Sequence, residues 1–150
     1  MRSSHVPCVI CVAILCGGCG SPASGVRKEY EELKGNWEVT AVVLYGNPLS
    51  AERVKEMGLR YTFDGDKVTV THNLGRGQAY TLTIDASTTP KKMTMDPGVG
   101  GEPPIRAIYA LESNKLLMCT MDENKVDAGY PTELVSTASP HTCLNTLERR

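Results

Sequence analysis

Between residues 26 and 34 the apolar side chains Val26, Tyr30 and Leu33 fall at the i, i+4, i+7 spacing of one helical face. Arg27 with Glu31 and Lys28 with Glu32 stand one turn apart on the other side and add weak support. Gly35 follows where a helix end is expected to take a left-handed conformation. The period then changes from helix to strand. Trp37, Val39, Ala41 and Val43 alternate with Glu38, Thr40, Val42 and Leu44, so the first strand is expected to bury the Trp37 side. Tyr45-Gly46-Asn47-Pro48-Leu49 reads as a turn, and Ser50 as the N-cap of a short helix ending near Met57-Gly58.

The clearest hairpin follows: Leu59, Tyr61 and Phe63, a turn at Asp64-Gly65-Asp66, then Val68 and Val70, with Arg60, Thr62, Lys67, Thr69 and Thr71 on the opposite face. Tyr80, Leu82 and Ile84 repeat the alternation, and Met93 with Met95 does so briefly. The Pro- and Gly-rich stretch from Pro97 to Pro104 has no period and reads as a loop. A second hairpin runs from Ile105 to Glu112 and from Lys115 to Met121, turning at Ser113-Asn114. Leu116, Leu117, Met118 and Cys119 are all apolar there, so that strand is open to burial on both faces. Asp122 to Pro131 is a polar loop, and Thr142 to Arg149 the last strand.

Short strands joined by turns, with no helix between most of them, predict an all-β fold. The succession of neighbouring hairpins favours an antiparallel up-and-down barrel of about eight strands over a sandwich. A short N-terminal helix and a short helix after strand one complete it. A barrel of that size has an interior that side chains fill or leave open to one small ligand. Trp37, Val39, Tyr61, Phe63, Tyr80, Leu82, Tyr109 and Leu111 are the inward candidates, and all of them serve equally well as ordinary core.

Composition narrows the function classes. With 16 basic and 17 acidic side chains the chain has no strong field and no basic patch of the kind nucleic acid requires. Cys8, Cys11, Cys16 and Cys19 crowd the first twenty residues in a C-x2-C-x4-C-x2-C spacing that suits zinc on paper. The residues between them are Val, Ile, Ala and Leu, which offer no polar groups to orient ligands. The stretch reads instead as a signal peptide over residues 1–18, with Met1-Arg2 as the positive end and Val6 to Leu15 as the apolar run, too short to span a bilayer. Leu15-Cys16-Gly17-Gly18-Cys19 resembles a bacterial lipobox, which makes Cys19 the lipidated residue; simple cleavage and secretion is the rival reading. Residues 19–25 then form a flexible tether and 26–150 a single domain.

The remaining chemistry is sparse. His72 continues the inward face of Val68 and Val70 and is expected at the barrel mouth, where a strand-end role is the simpler reading. His141 sits in a Ser/Thr-rich loop. Asp64 and Asp66 lack the ligand series of a calcium loop and fit a hairpin turn. No nucleophile, phosphate-loop or metal-ligand motif is present after residue 25, so neither enzyme activity nor a metal or other cofactor is expected. Cys119 and Cys143 are the one candidate disulfide in an oxidising compartment, worth roughly 3 kcal/mol if formed, or else two partly buried thiols.

Leu33-Lys34-Gly35-Asn36-Trp37, Gly46-Asn47-Pro48-Leu49, Phe63-Asp64-Gly65-Asp66-Lys67-Val68, Thr89-Pro90-Lys91-Lys92 with Asp96, Ile108-Tyr109-Ala110-Leu111, Leu116-Leu117-Met118-Cys119, Pro131-Thr132-Glu133 and Leu147-Glu148-Arg149 recur in that order. The series resembles an uncharacterised domain family abundant in planctomycete bacteria, departing from it at Tyr130 and Leu134, where arginine and phenylalanine are common. It also looks like the calycin or lipocalin arrangement, which implies that Arg149 packs on Trp37 and closes one end of the barrel. The resulting expectation is an exported, lipid-anchored, monomeric domain of the cell envelope that touches the membrane through Cys19. It binds a small apolar ligand or a partner, with Tyr61, Phe63, Tyr80, Tyr109 and His72 lining the site. The alternative is an envelope protein with a filled barrel.

Overall fold

The computed structural model describes residues 22–75, 77–98, 101–121 and 129–150. Helix α1 (Pro22–Leu33) leads into β1 (Gly35–Leu44), the two-residue β2 (Asn47–Pro48), helix α2 (Ala51–Met57), β3 (Arg60–Asp64), β4 (Lys67–Thr71), β5 (Gln78–Asp85), β6 (Lys91–Asp96), β7 (Ile105–Glu112), β8 (Lys115–Met121) and β9 (Thr142–Arg149). Each strand from β3 to β9 pairs antiparallel with the next, and β1 pairs with both β3 and β9. With β2 a small appendage on the end of β1, the remaining strands form a closed, eight-stranded antiparallel up-and-down barrel of lipocalin-like kind. Among the described residues no helix is long and apolar enough to cross a membrane.

The expected elements are present, with shifts at several ends. α1 starts at Pro22, so the last residues assigned to the tether are helical. Its predicted face is the buried one: Leu33 is fully buried, and Val26 and Tyr30 pack against the core. Gly35 is not a left-handed helix cap; it is the first residue of β1, at φ +124°, and a Cβ there would stand 3.3 Å from an Arg149 guanidinium nitrogen. α2 has the predicted caps, with Ser50 Oγ accepting from the Arg53 N–H and Gly58 left-handed at φ 55°.

Simple alternation fails halfway along β1. The register slips between Val39 and Ala41, so Thr40 is an extra residue and the strand resumes on the other phase. Val42 is buried in place of Ala41, and Leu44, opposite Cys143, follows it inward. The core then divides by depth. One half of the barrel is filled by Leu33, Trp37, Phe63, Val68, Leu82, Met93, Tyr109, Leu116, Met118 and Leu147, all nearly without exposure. The other half is looser, because beyond Glu38 and Arg60 strand β3 leaves β1, and α2 occupies the gap.

β8 is buried on both faces. Leu116 and Met118 point inward, while Cys119 and its partner Ile108 point outward beneath the segment that follows residue 128. That segment is fastened by the Cys119 thiol donating to Val135 O (3.4 Å), Ser136 Oγ donating to Thr142 O (2.7 Å) and a Thr94–Tyr130 hydroxyl contact of 2.5 Å. The polar loop expected from Asp122 falls, up to residue 128, outside the described residues, as do residues 1–18 and Cys19.

Candidate functional site

The two ends of the barrel are chemically different, and the difference begins with α1. The C-terminal carbonyls of a helix lack partners within it. Here the barrel supplies them: Trp37 Nε1 donates to Leu33 O at 2.7 Å, and the Arg149 guanidinium donates to Glu32 O and Lys34 O, each at 2.5 Å. The same guanidinium lies 4.4 Å from the centroid of the Trp37 ring. The first and last strands thus meet over the helix end, as the resemblance implied.

On the neighbouring turn of α1, Glu29 is buried at 6% exposure. Its carboxylate pairs with the Lys91 ammonium and accepts from the Tyr109 hydroxyl at 2.9 Å. Burial, with the Glu29 contact adding to it, pushes the Tyr109 phenol far above its ordinary range. Tyr30 donates to Leu82 O at 2.9 Å. This end is plugged.

The opposite end is open. A cavity of about 430 Å³ lies between the bulged half of β1, α2 and the ends of the strands facing them. Its walls are Val42, Leu44, Leu49, Met57, Leu59, Val70, Met95, Ile105 and Met121, with Tyr45, Tyr61, Tyr80, Thr120, Cys143 and Asn145 as the polar contributors. Among the described residues no Asp, Glu, Lys, Arg or His lines it. Burial raises the Cys143 thiol above its ordinary value, so it adds no charge at neutral pH. A larger hollow of about 570 Å³ lies outside the wall, where the side chains of Asn36, Glu38, Arg60, Thr62, Thr71 and Arg150 face solvent and Arg150 pairs with Glu38.

The rim carries backbone strain. Tyr45 and Gly46 form a two-residue turn between Leu44 and Asn47, both at positive φ (52° and 82°). A tyrosine in that region costs roughly 1 kcal/mol or more. Its ring meets His141 edge-on at 5.0 Å, so His141 is partly covered, not simply an exposed loop residue. The His141 Nδ1 is buried with no hydrogen-bond partner among the described residues.

Of the side chains expected to line a site, Tyr61 and Tyr80 do. Phe63 does not: stacked on Tyr61 with ring centroids 6.2 Å apart, it sits one step deeper, in the packed half. Tyr109 lies at the plugged end against Glu29. His72 lies past the end of β4, exposed, with its ring over Gly75, because the strand stops before the alternation can carry it inward.

Cys119 and Cys143 are both free. They belong to adjacent, paired strands, but the register sets Cys119 against Leu144 and Cys143 against Thr120. Offset by one residue, the thiols point to opposite faces of the wall, and a disulfide cannot form without breaking the pairing. The residues that sequence reasoning missed include Val42, Leu44, Tyr45, Leu49, Met57, Ile105, Thr120, Met121, Cys143 and Asn145 of the cavity, and Glu29 and Lys91 of the plug.

No family model matches the chain, and no curated protein or solved structure does so either.

Proposed function

We propose that this protein is an exported, lipid-anchored binding module of the cell envelope that takes one small, neutral, mostly apolar molecule into the open end of its barrel. The observation that carries the reading is a cavity of about 430 Å³, uncharged among its described lining residues, in a barrel whose other half is packed. Small-molecule sites are of this size, chiefly apolar, with a few polar groups to fix orientation. The strained Tyr45-Gly46 turn on the rim supports it, since left-handed non-glycine residues persist where the surroundings hold them and gather at binding sites. The reading is of binding by a monomer, without a reaction, and kinship with the planctomycete domains belongs to the same proposal.

The test is a fluorescence titration of the purified protein with N-phenyl-1-naphthylamine, a neutral apolar probe that brightens out of water. Saturable one-site binding is expected, and Val70→Phe, which places a ring in the cavity, is expected to weaken it at least tenfold. A protein that leaves the probe dark is a filled-barrel envelope protein, and the binding reading is then wrong. Anchoring is tested separately by fractionation in a bacterial host. Cys19→Ser is expected to release the protein from the membrane fraction; membrane association unchanged by that substitution refutes the lipid anchor.

A further inference from the structure

Among the described residues around the cavity, Asn145 combines depth with an amide donor for which no described side chain or carbonyl serves as acceptor. It lies on β9 between Cys143 and Leu147, and its inward direction is fixed by partners on both sides, Met118 on β8 and Val42 on β1. It is 7% exposed, the most buried of the polar side chains in the cavity wall, with Tyr61 next at 8% and mostly carbon. The Asn145 Oδ1 accepts from the Cys143 thiol at 3.8 Å, a long and weak bond. No described residue accepts from the Nδ2, which is not one of the buried orphaned atoms and so is met by water while the cavity is open. A ligand that displaces that water has to replace its hydrogen bond or leave the donor unpaired. The strand carbonyls around Asn145 are already engaged in the β1–β9 and β8–β9 ladders.

The donor therefore opens into a space bounded mainly by carbon and sulfur. We propose that the Asn145 Nδ2 is the polar recognition point of the cavity, and that the ligand is a neutral apolar molecule carrying an acceptor oxygen, of the ketone or ester class, at its buried end. The inference rests on the binding reading above and narrows it. An acceptor suits the site because the amide oxygen has the Cys143 thiol as a weak partner, whereas no described residue accepts from the N–H donors. A carboxylate or phosphate is disfavoured because among the described residues no cation lines the cavity to offset its desolvation. A pure hydrocarbon fits the walls but leaves the amide unpaired, so the site discriminates against it.

Competition against bound N-phenyl-1-naphthylamine tests this with two molecules of one shape, 2-acetylnaphthalene and 2-isopropenylnaphthalene, which differ in C=O against C=CH2. In the native protein the ketone is expected to compete at least as well as the hydrocarbon, although it loses more hydration on entry. In Asn145→Leu, similar in shape but without the donor, the ketone should lose about tenfold relative to the hydrocarbon, with probe binding retained. A second measurement needs no variant: the infrared carbonyl stretch of 2-acetylnaphthalene bound to the native protein should move below its position in alkane solvent. An alkane-like stretch, or a ketone-to-hydrocarbon ratio that Asn145→Leu leaves unchanged, overturns the Asn145 assignment while leaving the cavity a binding site. Failure of the probe itself to bind overturns the binding reading and this one with it.

Discussion

Removing the Arg149 side chain tests the idea that the two ends of the sequence close the barrel. Its guanidinium stacks at 4.4 Å on Trp37 and donates to Glu32 O and Lys34 O. The stack contributes about 1 kcal/mol at a partly exposed site. The bond to the part-buried Glu32 carbonyl adds roughly 1.5 kcal/mol, because truncation strands an acceptor that water reaches poorly. The bond to the exposed Lys34 carbonyl adds only about 0.5 kcal/mol, since water replaces it. Arg149→Ala should therefore cost about 3 kcal/mol, on the order of 10 °C in Tm for a domain of this size. Arg149→Lys should cost about half as much, because an ammonium keeps the charge but cannot serve both carbonyls while lying over the ring. Urea unfolding followed by fluorescence reads this directly, since Trp37 is the sole tryptophan. An Arg149→Ala loss below 1 kcal/mol, or an Arg149→Lys variant as stable as the parent, refutes the closure.

Three further outcomes follow from the same geometry. Burial pushes the Cys119 thiol up to about 11, and Tyr109 is raised as well, so the folded state keeps protons that the unfolded chain loses. Stability is then fully present below the ordinary thiol range and falls as pH rises toward 11, by an amount on the order of 2 kcal/mol for Cys119; Cys119→Ser should flatten the slope of urea midpoint against pH, and an unchanged slope counts against the assignment. Maleimide applied to the folded, unreduced protein should label Cys143 first and reach the fully buried Cys119 only on unfolding, whereas absence of both thiols after denaturation would show a disulfide. Gly58→Ala should destabilise by at least 2 kcal/mol, because the residue is left-handed and the new Cβ would stand 2.2 Å from the Asn73 side chain. Asn73→Ala should cost about 1 kcal/mol in the same urea assay, since its amide caps the Lys55 and Glu56 carbonyls at the end of α2; no loss in either variant sinks this account of the helix end.

The strands were legible where one face meets water, because polar residues then mark the phase. The β3–β4 hairpin and the Ser113-Asn114 turn fall where alternation and turn chemistry put them. Legibility ended where neighbours decide. Ala41, Val42, Val43 and Leu44 are apolar in either phase, so only pairing with β9 could reveal the bulge at Thr40. The facing of Cys119 and Cys143 is a matter of register, invisible to spacing. Nothing in the sequence marks Glu29 as buried, because its partners Lys91 and Tyr109 are 62 and 80 residues away in the chain. Asn145 had no signal at all, since a single asparagine in a strand acquires meaning only from the cavity it faces.

Pairing of β1 with β9 also sets the order in which the molecule can be completed. Strand β1 is among the first made, yet one of its edges stays open until the final eight-residue strand arrives. Non-local pairing of this kind slows folding, and until it forms both β1 and β8 present unsatisfied edges to other chains. A chain shortened by those last residues is therefore left with two sticky edges as well as an uncapped helix, and aggregation is its expected fate.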